Sequence, residues 1–274
     1  MKDEHEQTPQ TPQAPDPLRR ALGLAALGAG VLALAACGGG WGHVDDDDDD
    51  DDDDGGGGGS GDVDLRFVNG TADVLDMRLD GSTWVSGLAA FGELSDFSSA
   101  EDGETRIAAR VPGASDDRVS TTLTLTRDRF LSIIVYGRES DVFLMSLLDE
   151  QQEQASSGHT LVQVMHAAAG FGNLNVYVTN VGDNLPGNPT AVVTFGSRTG
   201  FIDFSRTSHR VRVQRAGETA LLFDSGDQSS EALSFSSRSA VSFVISPSSQ
   251  QNRVALTSLP ERTRGRLVPN RAPG

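Results

Sequence analysis

Beyond residue 61, apolar and polar residues alternate over short runs, and clusters of Gly, Asn, Asp and Ser separate these runs. Leu75–Leu79, Leu123–Thr126 and Val211–Val213 show the alternation clearly. Because successive side chains of a strand point to opposite faces of a sheet, this period of two predicts strands with one buried face. Helical periodicity fits only Val142–Gln154, where a buried strand over Val142–Leu148 fits equally well. The pattern therefore predicts an all-β protein.

The chain also matches itself, as two copies of one fold would. Phe91-Gly92 recurs 104 residues later as Phe195-Gly196. Two further segments match at offsets of 99 and 110 residues, namely Leu75–Leu79 with Leu174–Val178 and Leu123–Val135 with Leu233–Ile245. Each copy spans about 88 residues, near the size of a seven-strand sandwich. We therefore predict two tandem immunoglobulin-like antiparallel β-sandwich domains over residues 62–150 and 159–248, with residues 151–158 as the linker between them.

The start of the second copy carries a family resemblance. Val164–Ala169 reads VMHAAA, and Asn173–Val178 reads NLNVYV. This segment resembles the opening "V-H-A-S-P-D-A-P-x-V-D-V-Y-V" of the bacterial family called domain of unknown function 4397, with His166 and Tyr177 at the family spacing. The Ser-Pro-Asp turn of that motif is missing here, and the first copy has Asn69 in place of the histidine. The resemblance extends over residues 62–248 and implies an exported protein, often lipidated and commonly tandem, of β-sandwich character and without an assigned activity.

The N-terminus has the organisation of an export signal. Sixteen small or apolar residues, Ala21–Ala36, follow Arg19-Arg20. The next residues matter most, because Leu34–Cys37 resembles the lipobox of bacterial lipoproteins. The resemblance implies cleavage between Ala36 and Cys37, a signal peptide over residues 1–36, and a lipid on Cys37 that anchors the protein in the membrane. A buried structural cysteine behind an ordinary secretory signal or an N-terminal anchor is the alternative, and both the general and the twin-arginine export routes stay open.

By the same resemblance, Gly38 after the cysteine favours the outer membrane of the bacterial cell envelope. Residues 37–61 form a Gly-rich segment with ten consecutive aspartates, Asp45–Asp54. Such a segment has little to bury and repels itself, so we expect a disordered tether. Calcium binding by the aspartate run is the alternative to a simple spacer. Residues 249–274 are rich in proline and arginine, and we expect a disordered basic tail there.

Composition excludes several classes of function. The formal net charge of −17 argues against a nucleic-acid partner, since a phosphate backbone needs a basic surface. Cys37 is the only cysteine, so a cysteine-built metal centre is excluded, and Lys2 is the only lysine, which excludes a Schiff-base enzyme. The serines are not arranged as a Gly-x-Ser-x-Gly nucleophile. We expect no catalytic residues, no metal and no cofactor.

Two residues are candidates for ligand contact. Trp84 has no aromatic counterpart in the second copy, so the fold of the copies does not explain it. His166 ends the first strand of the family motif, where it serves either as a ligand contact or as a residue that closes a turn through ring hydrogen bonds. Aspartates of both copies, Asp73 to Asp80 and Asp224 to Asp227, suit either turns or a surface calcium site.

These observations predict a non-enzymatic envelope lipoprotein that presents a binding or scaffolding surface to an envelope polymer or protein. The first alternative is a lipid-anchored hydrolase of envelope glycans. It requires carboxylates that cluster with His166 or His209 in one cleft. The second alternative is a calcium-dependent adhesion module.

Overall fold

The first half of the folded part is a β-sandwich. The computed structural model describes residues 62–137, 143–149 and 155–273. Nine strands precede residue 150, and they are β1 (Val63–Gly70), β2 (Leu75–Leu79), β3 (Ser82–Leu88), β4 (Glu93–Leu94), β5 (Ser98–Ala100), β6 (Gly103–Arg110), β7 (Val119–Leu125), β8 (Phe130–Gly137) and β9 (Phe143–Asp149). Of the two structures predicted around residue 142, the strand is therefore the one that forms.

Ten further strands form a second sandwich. They are β10 (Thr160–His166), β11 (Leu174–Thr179), β12 (Ala191–Val193), β13 (Ile202–Phe204), β14 (Ser208–Arg215), β15 (Leu221–Asp224), β16 (Leu233–Ser234), β17 (Ser239–Pro247), β18 (Val254–Pro260) and β19 (Arg266–Val268). The one helical segment within the described ranges is a short 3-10 turn at Ser229–Glu231. The predicted all-β class is confirmed. No helix of the described part is long and apolar enough to cross a membrane.

Each sandwich has two sheets with the same order of strands. In the first, β4-β1-β8-β9 forms the inner sheet and β3-β2-β6-β7 the outer sheet, with β5 also paired to β1. In the second, β13-β10-β17-β18-β19 forms the inner sheet and β12-β11-β14-β15 the outer sheet, with β16 paired to β14. Most neighbours are antiparallel, but β1 runs parallel to β8 and β10 runs parallel to β17. The expected purely antiparallel sheets therefore contain one parallel pair each.

The register agrees with the offsets of the sequence match. Leu79 of β2 pairs with Ile107 of β6, and the matched residues Val178 and Val211 pair on β11 and β14. Apolar residues from the inner and outer sheets of each sandwich form one buried core per sandwich. The two copies thus have equivalent positions in equivalent strands.

The C-terminal segment is ordered, so the prediction of a disordered tail over residues 249–274 is wrong. β18 pairs with β17 along its whole length, and β19 adds an edge strand to the same sheet. Val254, Leu256 and Val268 are buried in the core of the second sandwich. Burial of these side chains compensates for ordering a segment whose prolines and arginines masked its alternating pattern.

The two inner sheets pack on each other through a third apolar layer. Leu94 packs against this layer and is partly buried. The buried residues of the layer come from both sandwiches and are Val68, Ile134, Tyr136, Met165, Ala167, Val244 and Leu259. Consecutive residues face different layers, since Ile133 lies in the core of the first sandwich and Ile134 in the layer between the sandwiches. The inner sheets are therefore covered on both faces, which is the usual setting for parallel strand pairs.

Arg66, on the mostly buried strand β1, connects the sandwiches at one end of this layer. The side chain is 1% exposed, donates to the carbonyl oxygens of Thr263 at 2.9 Å and Pro260 at 3.3 Å, and donates to the Ser132 hydroxyl at 2.7 Å. Its guanidinium also lies 4.5 Å from the centre of the Phe97 ring. A buried arginine requires such partners, because removing its charge from water is otherwise unfavourable.

The repeated Phe-Gly pairs lie at the same contact. Gly92 has φ +90°, and a Cβ there would come within 2.7 Å of the Thr257 hydroxyl oxygen on β18. Gly196 has φ +76°, and its Cβ would lie 3.5 Å from the Tyr136 ring on β8. Only glycine fits both the left-handed backbone and the close approach at Gly92. The motif that repeats in the sequence thus serves the packing of one copy on the other.

The predicted signal peptide, Cys37 and the acidic tether lie outside the described residues, as do residues 151–154 of the predicted linker. The rest of that linker, Ala155–Gly158, leads into β10.

The docking of the inner sheets predicts similar costs for Ile133→Ala and Ile134→Ala. Each substitution leaves a cavity in a packed apolar layer, so each lowers the free energy of unfolding by about 2–5 kcal/mol. Urea denaturation of both variants measures this. If the sandwiches did not dock, Ile134 would face water and its substitution would change stability by no more than about 0.5 kcal/mol.

Candidate functional site

His166 closes the turn that follows β10. Its imidazole is fully buried, Nε2 lies 2.7 Å from the carbonyl oxygen of Gly172, and Nδ1 accepts a hydrogen bond from the Ala168 N–H at 3.1 Å. The carbonyl fixes the proton on Nε2. Burial lowers the pKa of His166, and the hydrogen bond to Gly172 acts in the opposite direction. Of the two roles predicted for this residue, the contacts fit the turn and leave neither ring nitrogen for a ligand.

Asn69 does the same work in the first sandwich. Its Oδ1 accepts from the Thr71 N–H at 3.1 Å, and its Nδ2 donates to the carbonyl oxygens of Asp73 at 2.7 Å and Leu88 at 3.0 Å. In both copies the side chain, through Asn69 Oδ1 or His166 Nδ1, accepts a hydrogen bond from the backbone N–H two residues later in the chain. The substitution of His by Asn between the copies therefore preserves the hydrogen-bonding role.

Trp84 lies far from this turn in the topology. It is part of β3, the edge strand of the first outer sheet, and is 36% exposed. Its neighbours Thr83 and Ser86 are exposed as well. The structure does not bring Trp84 together with His166, which belongs to the inner sheet of the other sandwich. A contact role for Trp84 stays a prediction.

His209, the second buried histidine, sits in an aromatic and cationic environment. Its ring centre lies 5.4 Å from that of Phe204 and 6.1 Å from that of Phe235, and the Arg206 Nε donates to Nδ1 at 3.4 Å. Nε2 has no hydrogen-bond partner among the described residues. Burial, with a smaller contribution from the Arg206 charge, lowers the pKa of His209 to about 4. The imidazole is therefore neutral at pH 7.

Three of the aspartates singled out from the sequence use their carboxylates within the chain. Asp76 accepts from the Gly87 N–H at 2.8 Å, and Asp80 accepts from the Arg106 N–H at 2.8 Å. Asp224 forms a bidentate pair with Arg210, with distances of 2.9 and 2.6 Å. In the described part of the chain, no group of three His, Cys, Asp or Glu side chains is arranged to hold a metal ion.

A polar groove opens at one end of the second sandwich, between the turn leading into β17 and the turn after β18. It has a volume of about 410 Å³, and its lining includes four serines, one aromatic ring, two arginines and one carboxylate: Ser234, Phe235, Ser236, Ser237, Arg238, Ser239, Pro260, Glu261, Arg262 and Thr263. We call it the serine groove. In the sequence, Ser236-Ser237 belong to a polar run, and 23 residues separate Ser237 from Glu261, so the sequence does not show that the two walls lie close together.

The first sandwich helps to hold one wall of the serine groove. Arg66 binds the carbonyl oxygens of Pro260 and Thr263, and the Arg262 guanidinium lies 5.4 Å from the centre of the Phe130 ring. The other wall is tied within its own sandwich, since the Arg238 N–H donates to the His159 carbonyl oxygen at 3.0 Å. Docking of the sandwiches therefore supports one of the two walls of the groove.

The turn role of His166 predicts a graded response to substitution. His166→Ala leaves the buried Ala168 N–H without its acceptor and lowers the free energy of unfolding by about 2 kcal/mol. His166→Asn supplies a shorter acceptor of the kind used at Asn69, so we expect a smaller loss. Urea denaturation compares the two, and equal losses would contradict the hydrogen-bonding role.

The buried state of His209 predicts that acid destabilises the fold. Its pKa is about 4 in the folded chain against 6.5 in the unfolded chain, so the unfolded chain binds more protons between these values. The free energy of unfolding therefore has its full value, as far as His209 is concerned, above pH 6.5. It falls by about 3 kcal/mol because of this residue as the pH is lowered to 4. His166, whose pKa is also lowered, adds to the same trend.

Thermal unfolding of the chain and of His209→Phe across this pH range measures the contribution. The phenylalanine keeps a ring between Phe204 and Phe235 but does not titrate, so the variant has a shallower dependence on pH. His159→Gln, a partly exposed histidine of the same sandwich, serves as the control and keeps the steeper dependence. An unchanged slope in His209→Phe would contradict the account.

A comparison with models of known protein families finds a match, which covers the first sandwich and the start of the second. The family model described as "Domain of unknown function (DUF4397)" matches residues 63–177. The matched range covers β1 to β10 and ends within β11 at Tyr177, the last aromatic residue of the segment that resembled this family. A search of curated proteins found no match. Residues 63–177 are thus similar to this family, and the second sandwich beyond Tyr177 lies outside the match.

Proposed function

We propose that this chain is a bacterial envelope lipoprotein whose two docked sandwiches act as one non-enzymatic binding or scaffolding body. The lipid on Cys37 anchors the protein in a membrane, with the outer membrane favoured. Residues 38–61 separate the anchor from the sandwiches along the chain. The partner is an envelope polymer or an envelope protein, and the proposal requires neither a cofactor nor a metal.

The docking of the inner sheets is the observation that carries the binding role. A contact that buries Arg66 and the apolar layer around Ile134 holds both sandwiches in one arrangement. The same contact positions the second wall of the serine groove through Pro260 and Thr263. A fixed groove on a rigid body suits recognition, because little conformational freedom is lost when a ligand binds.

The local chemistry around the histidines favours binding over hydrolysis. His166 uses both ring nitrogens in a turn, and His209 is neutral beside Arg206 rather than paired with a carboxylate. A general base works best with a pKa near the working pH, whereas the pKa of His209 is about 4. These contacts support a non-enzymatic role.

Cys37→Ser tests the anchor. In a Gram-negative host we expect the unsubstituted chain in the membrane fraction, with an intact mass that starts at Cys37 and includes a diacylglyceryl group and an acyl chain. The serine variant has no thiol to receive the lipid, so we expect it in the soluble fraction or as the uncut precursor. Ser60→Ala, a substitution within the predicted tether, is the control and should leave the mass of the lipid unchanged. An unsubstituted chain whose intact mass shows no lipid on Cys37 would contradict the lipoprotein proposal.

A further inference from the structure

We propose that the serine groove binds an acidic saccharide, with Arg238 and Arg262 holding the acid group and Phe235, Glu261 and the serines holding the sugar. The inference rests on the proposed binding role and names the site and the class of ligand. Saccharide binding does not depend on the lipid anchor, so an experiment can contradict either one without affecting the other.

Arg238 is the first of the two cations that line the groove. Its guanidinium has no ion-pair partner among the described residues, and the side chain is exposed at the groove. Its backbone is left-handed, with φ +65°, a conformation that is unfavourable by roughly 1 kcal/mol for residues other than glycine. Such strain concentrates at functional sites, where surrounding contacts hold it.

Arg262 brings a second guanidinium to the same groove in a more fixed position. Its backbone is also left-handed, with φ +52°, and its guanidinium packs over the Phe130 ring of the other sandwich. Its Nε lies 3.6 Å from the Glu261 carboxylate, yet the side chain remains 51% exposed. Two guanidinium groups, one open and one held by a ring, provide the planar donors that carboxylate recognition requires.

The remaining lining suits a sugar rather than a simple anion. The Phe235 ring is packed against Phe243 and His209, with centres 6.1 Å away in each case, so it offers a fixed apolar face. The Glu261 side chain is 17% exposed and can accept hydrogen bonds from sugar hydroxyl groups. The hydroxyls of Ser234 and Ser236 add donors and acceptors along one wall. Those of Ser237 and Ser239 bond within the chain, to the Gly158 N–H and the Ser236 carbonyl oxygen. Small-ligand sites typically combine such a face with a few polar groups in about 300–1,000 Å³, a range that includes this groove.

A second and larger groove shows why the serine groove is the better candidate. It has a volume of about 700 Å³ and is lined by the β14–β15 turn, the start of β15, the β17–β18 turn and Pro273. There the cations are already engaged, because Arg215 pairs with Glu218 at 2.9 Å and Arg253 donates to the carbonyl oxygens of Leu221 and Pro273. In the serine groove, by contrast, Arg238 remains open to a ligand.

Titration calorimetry with trigalacturonate, maltotriose and citrate tests the proposal on the Cys37→Ser chain. We expect trigalacturonate to bind, and maltotriose and citrate to bind at least tenfold more weakly, since one lacks the acid groups and the other lacks the sugar. Arg238→Gln and Arg262→Gln should each weaken trigalacturonate binding about tenfold, the scale of a charge-assisted hydrogen bond. Arg264→Gln is the matched control, because Arg264 pairs with Asp96 at 3.0 Å, is 82% exposed and does not line the groove.

Several results would overturn the inference. Absence of trigalacturonate binding would remove the acidic saccharide, and equal binding of citrate would reduce the site to a general anion site. Equal loss in all three arginine variants would indicate attraction to the basic surface as a whole. Circular dichroism of each variant verifies that the β fold is retained. None of these results affects the mass measurement that tests the anchor.

Discussion

The structure depends on the contact between the two inner sheets. Each sandwich has its own apolar core, but the central strands also bury their second face in the layer that includes Ile134, Met165 and Val244. The contact explains why these strands are apolar on both sides and why each inner sheet tolerates a parallel pair. It also explains the Phe-Gly repeats, since Gly92 and Gly196 lie where one copy approaches the other most closely.

The same contact links the fold to the candidate site. Arg66 belongs to the first sandwich but binds two carbonyl groups in the turn after β18, and Phe130 supports Arg262 in that turn. A single sandwich would leave this turn without those partners. The lining of the serine groove belongs to the second sandwich, and the first sandwich supports one of its two walls.

Much of the fold could be predicted from sequence, because alternation and self-similarity are local signals. The offset of 104 residues placed Ile107 and Val211 in equivalent strands, and the exchange of His166 for Asn69 already pointed to a turn. The packing of the two sandwiches on each other was not predicted. The run Ile133-Ile134-Val135 indicated it, because a strand with one solvent-exposed face alternates apolar and polar residues. The strands near the C-terminus were missed because the alternation of β18 is short and is flanked by prolines and arginines. The serine groove could not be predicted at all, since its walls meet only through the pairing of Val241 with Pro260.

The central claim is that the two sandwiches behave as one rigid body. Backbone amide NMR relaxation on the Cys37→Ser chain tests it most directly, by comparing rotational correlation times in the two outer sheets. The account predicts the same correlation time for amides of β2 and β6 as for those of β11 and β14, at the value expected for the whole folded part. Two shorter and unequal times, one for each sandwich, would contradict it.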